Sequence, residues 1–364
     1  MAVGKVVMNI LCRVDASFGL GTGHLMRCLA LSQAGAIESI TTTFLIQPSS
    51  LEYCMSREDW VGKIVILPES LPQEDEIFWI KNNLNLNEYD LFLVDGYQFL
   101  NAYNLQSKTM MMPLVIFDDY NDEGVSDVDM IINSSSHAVN LGYEKTSEKA
   151  LLALGEKYRI LRQEFTQLKL PIPSMGERTS LTIIMGGSDS LKLTLPLLKE
   201  LELKKLALRE FQQLNIELPI NVITGSAYKD VSLLSDFIQS SELTINHYHN
   251  CQNVAEHFLQ SKLVVSAAGG CQFELSACAT PSLLVVVADN QFATTRQAER
   301  LGACKMIDFR DRVDIELLGD QLIELWNDNK CLEKIHLYTK SAYASHGSEN
   351  LIQLMRSLSE SYEY

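Results

Sequence analysis

A histidine stands behind a glycine-rich loop in the stretch GLGTGHLMRC, residues 19–28. Alternating glycines ahead of an apolar helical run let a backbone approach a phosphate closely. They do not account for His24. A histidine on the opening turn of a helix faces N–H groups that have no partner in the helix, a setting that suits a general base. The other six histidines, at 137, 247, 249, 257, 336 and 346, lack it. His247 and His249 alternate on an apolar run and would share one face, but no third residue stands at metal-ligand spacing.

Two further glycine-bearing turns lie in the second half. TIIMGGSDS, Thr182–Ser190, carries Gly186, Gly187 and Ser188, and VVSAAGGCQFE, Val264–Glu274, carries Gly269 and Gly270. Neither is a GxGxxG fingerprint or a P-loop, yet both end an apolar strand and open a helix, where backbone N–H groups can hold a diphosphate. Double glycines also let a helix pack tightly on its strand, so both readings stand. Glu274, one turn into the second helix, is placed to accept the hydroxyls of a ribose. VVVADNQ, Val285–Gln291, sets Asp289, Asn290 and Gln291 at another strand end, as helix cap or as sugar contacts. In the first half CRVDAS, LVDGYQF and VIFDDYND bring Asp15, then Asp95 and Tyr97, then Asp119 to strand ends. Singly these are capping residues; together they read as a polar rim around a ligand.

The elements that position these residues follow a βα rhythm. Near-continuous apolar runs at 5–14, 40–47, 63–68, 89–95, 113–118 and 128–133 suit strands buried on both faces of a parallel sheet. A helix is expected at 23–36. TQLKLPIPSMGERTS, around 166–180, breaks the rhythm as a linker, and a second series runs 180–185, 219–224, 242–248, 262–268 and 281–288. The tail reads as helices at about 312–327, 330–343 and 348–360. The expectation is an α/β chain of two Rossmann-like parallel-sheet domains, 1–168 and 178–346, with a C-terminal helix at 347–364 that packs back on the first. Ligands would bind in an interdomain cleft lined by carboxyl ends of strands.

Composition excludes several classes. A chain of 364 residues with 46% hydrophobic and 21% charged residues packs as globular domains. A net charge of -16 speaks against nucleic-acid and anionic-membrane partners. The eight cysteines form no CxxC pair and read as free thiols rather than a zinc site. No leader or apolar span of membrane length is evident, which points to a soluble cytoplasmic protein.

The block RVDASFGLGTGHLMRCLALS resembles the signature of the UDP-2,4-diacetamido-2,4,6-trideoxy-β-L-altropyranose hydrolases of pseudaminic acid biosynthesis. LGEKYRILRQEF, IIMGGSDS and SAAGGCQFELSACATPSLLVVVADNQ resemble further blocks of that family in the same order, in patches from about 11 to 301. The family resembles the lipid II N-acetylglucosaminyltransferase in its GT-B fold. The resemblance implies hydrolysis between the anomeric carbon and the UDP oxygen, with inversion and without metal or other cofactor. It carries the catalytic histidine onto His24, a supporting tyrosine onto Tyr97 and a strand-end asparagine onto Asn290. Around these, the candidate substrate contacts are Asp15, Gly21, Gly23, Arg27, Asp95 and Asp119 in the first half, and Gly186, Gly187, Ser188, Asp189, Gly269, Gly270, Glu274, Asp289 and Gln291 in the second. The family's Asp-His-Tyr motif reads Asp95-Gly96-Tyr97 here, and Cys271-Gln272-Phe273 stands where small hydroxylic residues and a Trp are common.

UDP is a good leaving group, so backbone donors suffice at its oxygen and one histidine suffices to activate water on the opposite face. The expected partner is a UDP-sugar, and a monomer is expected. Two other readings stay open: a GT-B glycosyltransferase with a sugar or polyol acceptor in place of water, and a nucleotide-sugar-binding protein without turnover.

Overall fold

The computed structural model describes residues 7–17, 21–121, 124–169, 171–209, 219–342 and 346–362. The chain divides into two compact units, residues 1–163 with 344–364, and residues 164–343.

The first unit holds seven parallel strands: β1 Met8–Val14, β2 Ile40–Ile46, β3 Lys63–Ile66, β4 Leu91–Asp95, β5 Leu114–Phe117, β6 Met130–Asn133 and β7 Leu151–Leu154. Their order across the sheet is β3-β2-β1-β4-β5-β6-β7. β4, β5 and β6 are buried at every position, as helices on both faces of a parallel sheet require. β7 is absent from the sequence reading because its apolar run LLAL is short; it is an edge strand, half-buried at three of its four residues. The helix Gly23–Ile37 follows β1 and buries Leu25, Cys28, Leu29 and Leu31. The C-terminal helix Gly347–Ser361 belongs to this unit and inserts Leu351, Ile352 and Met355 into the cluster formed by Ile10, Cys12 and Leu25. Its first residue must be glycine-sized, since a Cβ on Gly347 would fall 2.0 Å from the Arg159 carbonyl oxygen.

The second unit repeats the plan with six parallel strands: β8 Ser180–Ile184, β9 Ile220–Thr224, β10 Ile245–His249, β11 Ser261–Ala267, β12 Ser282–Val286 and β13 Lys305–Asp308, in the order β10-β9-β8-β11-β12-β13. β13 is the second strand that the sequence does not announce. It too is an edge strand, and only Ile307 of KMID is buried.

Each sheet reverses direction of growth once, between β1 and β4 in the first unit and between β8 and β11 in the second. In open parallel sheets the crevice at the carboxyl ends of the strands flanking such a switch point is where ligands bind. The His24 loop follows β1 and the Asp95-Gly96-Tyr97 turn follows β4. The Gly186 turn follows β8 and the Gly269 turn follows β11. His24, Asp95, Tyr97 and the two glycine turns therefore flank the two switch points, while Asp119 follows β5 and Asp289–Gln291 follow β12.

Candidate functional site

In the first unit, β1 hands over to its helix through a pinned loop. Gly21 N–H donates to the Ser17 carbonyl at 2.7 Å, and Gly21 takes a φ of +75° that favours glycine. Gly19 and Leu20 lie outside the described residues. Thr22 is the N-cap without a side-chain cap, and His24 is the second residue of the helix.

The histidine does not stand alone there. Its Nδ1 lies 2.7 Å from Asp95 Oδ1 at the end of β4, and β1 and β4 are paired so that Val14 faces Asp95. Asp95 is fully buried. It receives Arg27 through Nε at 2.6 Å and through Nη2 at 2.6 Å, and the Cys28 thiol at 3.4 Å. Burial opposes the charge on Asp95, but Arg27 and then His24 override it and hold the carboxyl well below the usual range. An ionised Asp95 can only accept. The His24 Nδ1 hydrogen therefore points at it, and in the neutral ring Nε2 carries the lone pair. No described residue hydrogen-bonds Nε2.

Arg27 extends the network. Its Nη1 donates to both oxygens of Asp119 at 3.0 and 3.2 Å, and its guanidinium lies 4.5 Å from the centre of the Phe117 ring. Burial works against the cation, yet Asp119 and Asp95 raise its pKa well above the ordinary arginine value. Tyr97 donates its hydroxyl to Asp119 at 2.8 Å and stands edge-on to His24, ring centres 4.6 Å apart at 87°. Burial and then Asp119 push the Tyr97 phenol up, so it stays protonated. One guanidinium thus locks two carboxylates, one holding the histidine and the other the tyrosine. Arg27 and Asp95 point at each other, which makes them positioning groups for His24. The pairing spans 68 residues to Asp95 and 92 to Asp119 and has no local sequence signal.

Gly96 has a φ of +150°, and a Cβ there would meet Gln98 Oε1 at 2.5 Å. The Gln98 carboxamide occupies the volume that a side chain at 96 would need. Asp15 is drawn elsewhere: it pairs with Arg13 at 2.7 Å and accepts from Gln47 N–H at 2.7 Å. Arg13 in turn makes a fork on Glu76 at 2.8 and 2.9 Å, and Tyr103 donates to the same carboxylate. That cluster lies buried under the end of β1 and spends Asp15 on structure.

The second unit is built differently. Gly186 has a φ of +77°, and beyond the adjoining residues no described atom lies within 4 Å of a Cβ placed on Gly186, Gly269 or Gly270. Tight packing thus gives no reason for glycine at 269 and 270; the open space above them is what an approaching ligand needs. Gly225 does serve packing, since a Cβ there would fall 2.5 Å from the Gly187 carbonyl oxygen. That contact marks Thr224–Tyr228 as a further turn at the same rim, which sequence reasoning did not single out. Ser188 lies half-buried in the turn beside Gly187. Asp189 is buried and accepts from Leu193 and Thr194 N–H at 2.8 and 2.9 Å, so it caps the helix Thr194–Arg209. Glu274 is buried in the first turn of the helix Cys271–Ala277. Asn290 opens the helix Asp289–Leu301 beside Asp289, whose carboxylate pairs with Arg310 at 2.7 Å. Gln291 Oε1 accepts from Val287 N–H at 2.9 Å and so ties the strand end to the helix. Arg310 follows β13 and escaped notice with that strand. His247 and His249 both hydrogen-bond the Thr224 hydroxyl, at 2.8 and 3.0 Å.

No family model matches the chain. An uncharacterised protein of Methanocaldococcus jannaschii is 26% identical over 78% of the chain, and the chain spans 56% of that protein's length. The UDP-2,4-diacetamido-2,4,6-trideoxy-beta-L-altropyranose hydrolase of Campylobacter jejuni is 23% identical over 72% of the chain and 85% of its own length. Among solved structures, MurG of Acinetobacter baumannii superposes with a TM-score of 0.61 at 13% identity, covering 96% of this chain and 99% of that one. CalG4, the calicheamicin glycosyltransferase, gives 0.63 at 12% identity over 98% and 100%. MnaA of S. aureus, solved with UDP, gives 0.63 at 12% identity over 96% of each chain. The fold is GT-B-like, with two Rossmann-like parallel-sheet units. Among the described residues no helix is long and apolar enough to cross a membrane.

Proposed function

We propose that the chain is an enzyme acting on UDP-sugars, and that it hydrolyses a UDP-linked 2,4-diacetamido-2,4,6-trideoxy hexose by water attack at the anomeric carbon with inversion. The observation that carries this reading is the His24–Asp95 pair, with Nδ1 held by an ionised carboxylate and Nε2 left to take a proton. His24 Nε2 removes a proton from water as the C–O bond to the diphosphate breaks. Asp95 stabilises the imidazolium that forms, while Arg27 keeps Asp95 ionised and fixed. Tyr97 supports His24 through its ring, since its hydroxyl hydrogen is engaged by Asp119.

In the second unit the turns at Gly186–Gly187 and Gly269–Gly270 hold the diphosphate with backbone N–H groups, and Glu274 holds the ribose. Those donors absorb the charge that develops on the leaving oxygen. The bare space above Gly269 and Gly270 supports this, as does the resemblance to the Campylobacter jejuni hydrolase. Asn290 contacts the sugar near the reacting centre. The product feeds nonulosonic acid synthesis.

The likeness to MurG and CalG4 favours one second reading, a glycosyltransferase in which His24 deprotonates an acceptor hydroxyl. UDP release from a panel of UDP-diacetamido-trideoxy sugars, with EDTA and without acceptor, separates the two. Turnover that disappears in His24→Ala supports the hydrolase. UDP release only after an acceptor is added assigns the transferase.

A further inference from the structure

In the second unit one side chain ties the ends of β12 and β13 together. Val286 on β12 faces Asp308 on β13, so the two strands end level. Arg310, two residues past β13, forks on Asp308: Nε reaches Oδ1 at 3.0 Å and Nη2 reaches Oδ2 at 2.8 Å. Its own N–H returns to Asp308 Oδ1 at 3.2 Å. Its Nη1 crosses to Asp289 Oδ1 at 2.7 Å, on the opening residue of the helix Asp289–Leu301. The guanidinium lies 4.0 Å from the centre of the Phe292 ring on the same helical turn. From the other side, Gln291 Oε1 accepts from Val287 N–H at 2.9 Å. The first turn of this helix is thus held at Asp289, Gln291 and Phe292, and Asn290 stands among them.

We propose that Arg310 is a positioning residue for sugar recognition: it clamps the segment from Asp289 to Phe292 onto the end of β13 and so fixes the orientation of Asn290. This rests on the reading of Asn290 as a sugar contact. Each of the three guanidinium nitrogens is engaged by a protein carboxylate, so Arg310 acts through the segment it holds. The Asp289 side chain is 82% exposed, and an ion pair so open to water adds little to stability. What a fork combined with a ring contact does supply is orientation. The first turn of a helix frays, and a carboxamide there loses affinity for a sugar unless it is ordered before the sugar arrives. The arrangement repeats at this strand end what Arg27 does in the first unit, where one guanidinium joins two carboxylates carried by different elements.

The test is a double-mutant cycle read by calorimetry in the His24→Ala protein, which on the proposed reading keeps a UDP-sugar intact. The probes are UDP-2,4-diacetamido-2,4,6-trideoxy-β-L-altropyranose and UDP. Asn290→Ala is expected to weaken the UDP-sugar about tenfold and to leave UDP within about twofold. Arg310→Gln is expected to weaken the UDP-sugar about fivefold where Asn290 is present and to add less than about twofold in Asn290→Ala. Its effect on UDP is expected to stay within about twofold. Asp308→Asn loosens the fork and keeps the cation, and a loss of about threefold with the same dependence on Asn290 is expected. Arg310→Lys keeps the charge without the fork and is expected to behave as Arg310→Gln. Equal losses from Arg310→Gln with and without Asn290, a matching loss of UDP affinity, or full recovery in Arg310→Lys overturns the proposal, while Asn290 keeps its role. No loss from Asn290→Ala removes the sugar contact, and the clamp falls with it. Because the readout is binding, it stands whether or not the wild type releases UDP, so failure of the hydrolase reading is seen separately.

Discussion

The two units share a sheet order and differ in how their strand ends are finished. In the first, His24, Arg27, Asp95, Tyr97 and Asp119 are wired to one another through side chains. In the second, Gly186, Gly269 and Gly270 are bare, while the acidic side chains nearby serve the protein itself: Asp189 caps a helix and Asp289 pairs with Arg310. Proton transfer needs a side chain held in one orientation and one protonation state, which a buried charge network supplies. Holding a diphosphate needs only oriented N–H groups and room. On the proposed reading the same framework carries chemistry at one switch point and affinity at the other, and substitutions in the two units are expected to move different constants.

The largest effect is expected from Asp95→Asn, which exchanges an obligate acceptor for a group that can present its NH2 to Nδ1. It should lower kcat about a thousandfold and leave KM within about threefold. Arg27→Gln releases both carboxylates, and a loss of about a hundredfold in kcat is expected, with Arg27→Lys recovering part because it keeps the charge without the fork. Steady-state kinetics on a UDP-sugar reads both. In the second unit, Gly270→Val fills the open space above the turn. It is expected to weaken UDP about tenfold by calorimetry while leaving kcat at saturation nearly intact, since it touches only binding. A fall in kcat as large as that of Asp95→Asn would break the division between the units.

The smallest effect is on stability. Asp95 is depressed in the folded state, so its ionisation stabilises the protein fully above the pKa of an unfolded carboxylate, about 3.9. That contribution is lost only as pH falls through the lower folded value. In denaturant titrations the gap between wild type and Asp95→Asn should stay constant above about pH 5 and shrink below about pH 4.

The βα rhythm, the His24 loop and the glycine turns are legible in the sequence because each is local: an apolar run, then glycines, then a helical pattern. β7 and β13 are not, because LLAL and KMID are short runs; edge position alone does not hide a strand, since β3 and β10 are edge strands as well and their longer runs are legible. The candidate site is legible in the sequence as a set of residues and not as a network. Asp15, Asp95 and Asp189 look alike at strand ends, and only tertiary pairing assigns one to Arg13, one to His24 and one to a helix cap. The glycine at 96 is explained by its backbone φ of +150°, which no pattern of apolar residues predicts.

The central claim is that the first unit performs the chemistry and the second holds the nucleotide. The most direct test measures kcat and UDP affinity together for His24→Ala. The account predicts a loss of about a thousandfold in kcat with UDP affinity within about twofold of wild type. A loss of UDP affinity that matches the loss of turnover would make His24 a phosphate ligand and contradict it.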